Sequence, residues 1–224
     1  MRLALLTMVL LLMLDARTVS AEVPGDRLAP LDHGLVVVDG CASAPFNPNI
    51  FGTVALDAGV TAYGARWRRV SNADQHDPRV KALAATAAAS SGDALRRLAV
   101  VHRAVTTHVR WERDLDTYRI ADYWAQAGET LTRGRGDSED IAILKMQVLK
   151  AAGFSARDIY LSVGRDRLRG VDTVLLVRVG NDFYALDDRS PEPVRALGEG
   201  RFKPIITLGR NKAWIHGRRI ARSQ

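Results

Sequence analysis

The residues best suited to chemistry lie in the stretch Gly136-Asp137-Ser138-Glu139-Asp140. The apolar spacing Ile141, Leu144, Val148, Ala152 predicts a helix over about Ser138 to Ala152, which would set Ser138 at its N-terminus. A helix N-terminus presents free N–H groups and partial positive charge, so it can serve a nucleophile and stabilise an oxyanion. The same five residues also read as an ordinary acidic helix start, with Asp137 capping and the other carboxylates favoured by the dipole. A serine hydroxyl needs a base to activate it, and no histidine stands nearby in sequence. Of the five histidines, His102 and His108 are six residues apart on a predicted helix, hence on different faces. His33 and His76 fall in predicted loops. His216, in Trp214-Ile215-His216-Gly217, is the first candidate for a distant base. The single cysteine, Cys41, excludes an intramolecular disulfide and has no base close by. The nucleophile-elbow pattern fails at Asp140, and neither a P-loop nor zinc-ligand spacing occurs.

The elements that must position Ser138 fall into two halves. Helical patterns cover about Arg79 to Ala89, Asp93 to Val109 with Asp93 as cap, and Asp122 to Leu131, before the break at Gly134-Arg135-Gly136. On the helix that comes next, Lys145 and Lys150 are expected on the outside, and Gly153 ends it. The period then changes to that of strands at 158–163, 174–179, 183–186 and 205–208, with a hairpin turn at Gly180-Asn181-Asp182. Helices first and an antiparallel sheet second predict an α+β fold.

The N-terminus reads as a secretory signal peptide over residues 1–21: Arg2, an apolar run of about 12 residues, then Val19-Ser20-Ala21. That run is short of the roughly 20 residues a spanning helix needs, so the chain is expected not to span a membrane after cleavage and to be periplasmic or secreted. Residues 22–50 read as an irregular lead-in, with a short strand at Val36 to Val38, and residues 51–220 as one folded domain. Lys and Arg outnumber Asp and Glu by 32 to 25, giving +7. The arginines are spread along the chain without an aromatic ladder, which argues against nucleic acid as a partner.

Three segments together carry a family resemblance: Tyr123-Trp124-Ala125 to Gly128-Glu129-Thr130-Leu131, then Gly134 to Lys145 through Gly136-Asp137-Ser138-Glu139-Asp140, then Leu149 to Gly153-Phe154. With Phe51-Gly52-Thr53, Trp67, Asp172-Thr173-Val174-Leu175 and Ala185-Leu186-Asp187-Asp188, the chain resembles the bacterial transglutaminase-like cysteine peptidases, LapG-like proteases of the periplasm. The resemblance implies a papain/transglutaminase-like fold, in which a central nucleophile-bearing helix packs on an antiparallel sheet, and a Cys-His-Asp triad. By position Ser138 takes the cysteine place and Asp187 the aspartate place. The histidine place falls on Asp172, or on Thr173 if one residue is lost. The resemblance also implies calcium at Asp137, Glu139 and Asp140, whose hard oxygens suit that ion. With cysteine and histidine both replaced, the expectation is a pseudoenzyme that binds a protein segment, such as part of a cell-surface or inner-membrane protein, and calcium. The alternative is an active hydrolase with Ser138 as nucleophile and a relocated base.

Overall fold

The computed structural model describes residues 36–38, 47–72, 76–90 and 92–219. The predicted signal peptide, most of the lead-in, Cys41 and His33 lie outside the described residues. Capping and composition explain the first helices. α1 (Gly64–Ser71) buries Trp67 and Val70. α2 (Pro78–Ala89) starts at a proline, and the Asp77 side chain accepts the Arg79 N–H at 2.8 Å. α3 (Ala94–His108) is capped by Asp93, which accepts the Arg96 N–H, and buries Leu98, Val101, His102 and Val105. The helix expected from Asp122 begins only at α5 (Ala127–Arg133). Residues 123–126 are held out of it because three of their N–H groups are drawn to carboxylates: Tyr123 donates to Asp114, Ala125 to Asp140 and Gln126 to Glu129.

Two short strands set the start of the central helix. β3 (Arg110–Trp111) and β4 (Arg135–Gly136) pair in parallel, with Arg110 opposite Arg135 and Trp111 opposite Gly136. The pairing ties the segment after α3 to the start of α6 (Ser138–Ala151), and α4 (Asp114–Thr117) comes soon after β3.

The sheet runs in the order β1 (Val36–Val38), β10 (Ala213–Arg219), β9 (Phe202–Leu208), β5 (Ile159–Asp166), β6 (Gly170–Val179), β7 (Asp182–Leu186), β8 (Val194–Arg195), with β2 (Val54–Asp57) on β10. Every neighbouring pair is antiparallel except β1 with β10. Period-two alternation sorts the two faces. Leu161, Val163, Leu175, Val177, Leu186 and Leu208 join the helices in one core, whereas Tyr160, Val174, Leu176, Ala185, Phe202 and Trp214 form the other. This is the α+β, transglutaminase-like arrangement expected, with α6 across the sheet.

α6 is covered on all sides, by α1, α2, α3, α5 and the sheet. Lys145 therefore does not point outward as the sequence suggests. It is fully buried, and its Nζ donates to the Leu186 carbonyl at 3.1 Å. Burial pulls this ammonium down to about 8, against the opposing pull of Asp188 and Asp187. Lys150 is half-buried and donates to the Ser71 carbonyl at 2.6 Å.

The closest strand packing is at Gly164, where a Cβ would lie 2.3 Å from the Lys203 carbonyl oxygen and 2.6 Å from the Phe202 ring. The backbone oxygen cannot move aside. Gly164→Ala should cost about 2–3 kcal/mol, seen as a lower urea midpoint at unchanged slope. An unchanged midpoint would refute this packing.

Candidate active site

Ser138 opens α6 behind Asp137, the N-cap, whose carboxylate accepts the Asp140 N–H at 3.4 Å. Ser138 is buried at 7% exposure, at the edge of a cavity of about 600 Å³. Tyr63, Trp111, Asp114, Glu139, Val163 and Thr173 also line that cavity. Tyr63 stacks on Trp124, which fixes one wall.

On one flank of Ser138 the carboxylates crowd together. Asp137, Glu139 and Asp140, the three acids expected from the sequence, are joined by Asp114, which sequence reasoning missed. The β3–β4 pairing delivers Asp114, and only two paired residues a side leave no periodic signal for it. One oxygen each of Asp114, Asp137 and Asp140 lies within 4.8 Å of the others, and Asp114, Asp122 and Glu139 make a second such group. Gly136 permits this approach, since a Cβ there would lie 2.7 Å from Asp140 Cβ and Oδ2. The Asp140 Oδ1 accepts the Ala125 N–H at 2.7 Å. The buried Asp140 Oδ2 and Asp114 Oδ1 have no partner among the described residues. Asp122 pairs with Arg66.

Burial raises Asp114, Asp137, Glu139 and Asp140 alike. Asp140 is pushed up to about 8, first by burial and then by Asp114 and Glu139, against the Ala125 bond. Asp137 is raised by burial and by its three acidic neighbours. Glu139 and Asp114 are raised chiefly by burial. Among the described residues no ion pair reaches Asp114, Asp137, Glu139 or Asp140, and the bare, hard oxygens of this nest fit a divalent cation.

The other flank is compensated. Asp172 and Thr173 both adjoin the site: Thr173 lines the cavity, and the Ser138 hydroxyl is close enough to the Asp172 carboxyl to favour its ionised form. Asp172 Oδ2 accepts from Arg189 Nη2 at 2.7 Å, and Oδ1 accepts the Thr173 N–H at 3.0 Å. Arg189 also bonds Asp166 Oδ2 at 2.9 Å and Asp187 Oδ1 at 3.1 Å. Arg201 reaches Asp187 Oδ2 at 2.7 Å and Asp166 Oδ2 at 2.9 Å. Arg169 holds Asp188 at 2.8 Å and lies over the Trp111 ring. Burial would raise Asp187, but Arg189 and Arg201 outweigh it and hold the carboxyl below its ordinary range. Burial likewise opposes the bonds to Asp166, which sits at about 2. Asp172 is raised by burial, partly offset by Ser138 and Arg189.

Among the described residues no histidine lines this cavity. His216, the suspected distant base, is buried in β10 with Nδ1 2.7 Å from Thr53 Oγ1 and Nε2 2.8 Å from Thr207 Oγ1. Burial lowers it to about 4. His102 is also buried, its Nε2 2.7 Å from the Ser190 carbonyl. His108 and His76 are exposed.

The family model described as bacterial transglutaminase-like cysteine proteinase (BTLCP) matches residues 58–207. The chain belongs to this family. Among solved structures, Legionella pneumophila LapG in its calcium-bound form is 22% identical at TM-score 0.45, covering 61% of this chain and 87% of that one. Its EGTA-treated form is 21% identical at TM-score 0.45, covering 62% and 89%. A TGase crystal structure is 11% identical at TM-score 0.40, covering 59% and 34%. No curated protein matches. The family takes its name from a cysteine nucleophile, yet the only cysteine of this bacterial transglutaminase-like chain is Cys41, outside the matched residues.

The half-buried Arg189 hub generates a stability prediction. Arg189→Met leaves Asp166, Asp172 and Asp187 short of counter-charge and should cost on the order of 3 kcal/mol at pH 7. Asp166 has a folded pKa of about 2, below its ordinary value of 3.8. Its share of the stability is present above about 4 and is lost as pH falls through 2. The deficit of the variant should therefore shrink in acid. Denaturant titrations at about pH 7 and pH 2.5 giving equal deficits would contradict this.

Proposed function

We propose that this chain is a non-hydrolytic member of its family, exported to the periplasm or beyond, that binds a segment of a cell-surface or inner-membrane protein in the Ser138 cleft. One observation carries the reading: the matched domain contains no cysteine, and its described histidines stay out of the cavity at Ser138. A serine hydroxyl needs a base that takes its proton and later protonates the leaving amine. The group within reach is Asp172, a carboxylate already bound to Arg189. Losing one member of a working triad costs on the order of 10⁶ in turnover. The acidic flank adds to this, because it offers no positive charge of its own beside an alkoxide at Ser138.

Calcium fits the same reading. Asp114 with Asp137 and Asp140, and Asp114 again with Asp122 and Glu139, offer the oxygen ligands such an ion takes. Bound there, it would supply the positive charge the nest lacks and fix the first turn of α6, and with it one wall of the cleft.

Serine-directed fluorophosphonate should leave Ser138 unlabelled at about pH 7, and peptide or ester substrates should not turn over. Labelling at Ser138, with turnover abolished by Ser138→Ala, would establish the alternative of an active hydrolase with a relocated base.

Calcium at about 100-fold its dissociation constant should stabilise the fold by roughly 2.7 kcal/mol, raising Tm on the order of 5 °C. The sign with pH comes from the raised carboxyls. Between about 4 and 8 the folded state holds protons on Asp140 that the unfolded state has lost. The calcium-free protein should thus lose stability as pH rises through that window. Calcium competes with those protons, so its stabilisation should be larger at about pH 8 than at about pH 5. Thermal melts in calcium and in chelator, with Asp137→Asn and Asp140→Asn as controls, test this. Equal melts in both conditions would remove calcium from the reading.

A further inference from the structure

The cleft does not stop at Ser138. Val163 and Thr173, which line it, are cross-strand partners on β5 and β6. Two residues further toward the hairpin, Arg165 pairs with Val171, which also lines the cleft and is 69% exposed. Residues two apart on a strand share a face, as do directly opposed residues. Arg165 therefore extends the cleft floor. Its partner on the other side is Lys203 of β9, so two cations stand directly opposite each other. Arg165 is exposed and Lys203 half-buried, and among the described residues neither has a carboxylate partner. Like charges at opposed positions destabilise a strand pair. Four other basic residues around the site are engaged, Arg169 with Asp188, Arg189 and Arg201 with Asp166 and Asp187, and Arg113 with Asp116, whereas Arg167 of the same hairpin is exposed.

We propose that the row Val171–Arg165–Lys203 continues the binding cleft and receives a carboxylate side chain of the bound protein segment. This rests on the reading of the Ser138 cleft as a protein-segment site. Two residues of strand span ~7 Å. The acidic residue of the partner thus stands about two positions from the residue that lies over Ser138. The cleft is electrically polar along its length, with carboxylates beside the tip of α6 and unpaired cations at the hairpin end. An extended acidic segment is bound in one direction and repelled in the other, which gives the site polarity without catalysis.

The test uses an array of degenerate nonapeptides with Glu, Gln or Lys fixed at each position in turn, probed with the purified protein in calcium. Glu-fixed pools should bind about tenfold better than Gln-fixed pools at one or two adjacent positions. Arg165→Glu/Lys203→Glu should reverse the preference toward Lys. Arg157→Glu/Arg210→Glu, with the same net charge change on exposed residues elsewhere, should leave it intact. Pools that bind without regard to charge, or a preference that survives Arg165→Glu/Lys203→Glu, would overturn the inference while leaving the segment-binding reading standing. Failure of every pool to bind would take both down. Tighter retention of a single-stranded oligonucleotide than of any Glu pool, through the same two residues, would overturn it by reassigning the row to a general polyanion.

Discussion

The structure depends on one constraint: α6 is enclosed along its length, so Ser138 and Asp140 at its first turn are fixed in buried positions. Ile143, Leu144, Val148 and Leu149 fill the space around the helix completely. Ser138, Asp137 and Asp140 are therefore held by the packing of residues a full turn or more away. A charge in such a place cannot relax; it must be matched by another group or give up its ionisation. Both solutions occur within one cavity wall. On the β6 side, Arg189 and Arg201 match Asp166, Asp172 and Asp187. On the α4 side, no cation among the described residues forms an ion pair with Asp114, Asp137 or Asp140, and their carboxyls are raised.

Ser138 sits between these flanks, and both oppose its ionisation. The helix N-terminus contributes about half a positive charge, which the adjacent carboxylates outnumber. Asp172 adjoins the Ser138 hydroxyl, yet taking its proton would strip Arg189 of one partner and leave the proton on a group poorly suited to hand it to a leaving amine. The arrangement is a coherent charge network in which Arg189 bridges Asp172 and Asp187.

Much of this is legible in the sequence. The strands of the second half and the helices over 78–108 and 138–151 obey periodicity, because packing and local preference agree there. The Gly136-to-Asp140 stretch marks the site for the same reason. Lys145 reads as exposed because its burial depends on other helices closing over α6, which no local pattern records. Asp114 leaves no trace because a two-residue parallel pairing brings it in. His216 reads as the first candidate for a distant base, yet β10 turns it between two threonine hydroxyls. The pattern places the start of α5 too early because the N–H groups of Tyr123 and Ala125 serve carboxylates that are distant in sequence.

An acidic helix start needs little explanation when it only caps. Asp137 fits that role, with its bond to the Asp140 N–H. Asp140 does not: its Oδ1 reaches across to the Ala125 N–H and its Oδ2 is buried without a partner among the described residues. Asp114 comes from another element altogether and also leaves a bare oxygen. Favourable interaction with the helix dipole is worth about 1 kcal/mol or less at an exposed end, too little to offset the burial of several mutually repelling carboxyls. A glycine at 136 makes room for Asp140 to sit this close. Capping accounts for one acid; the convergence of the others around it makes a group that could hold a metal ion, whether or not Ser138 ever reacts.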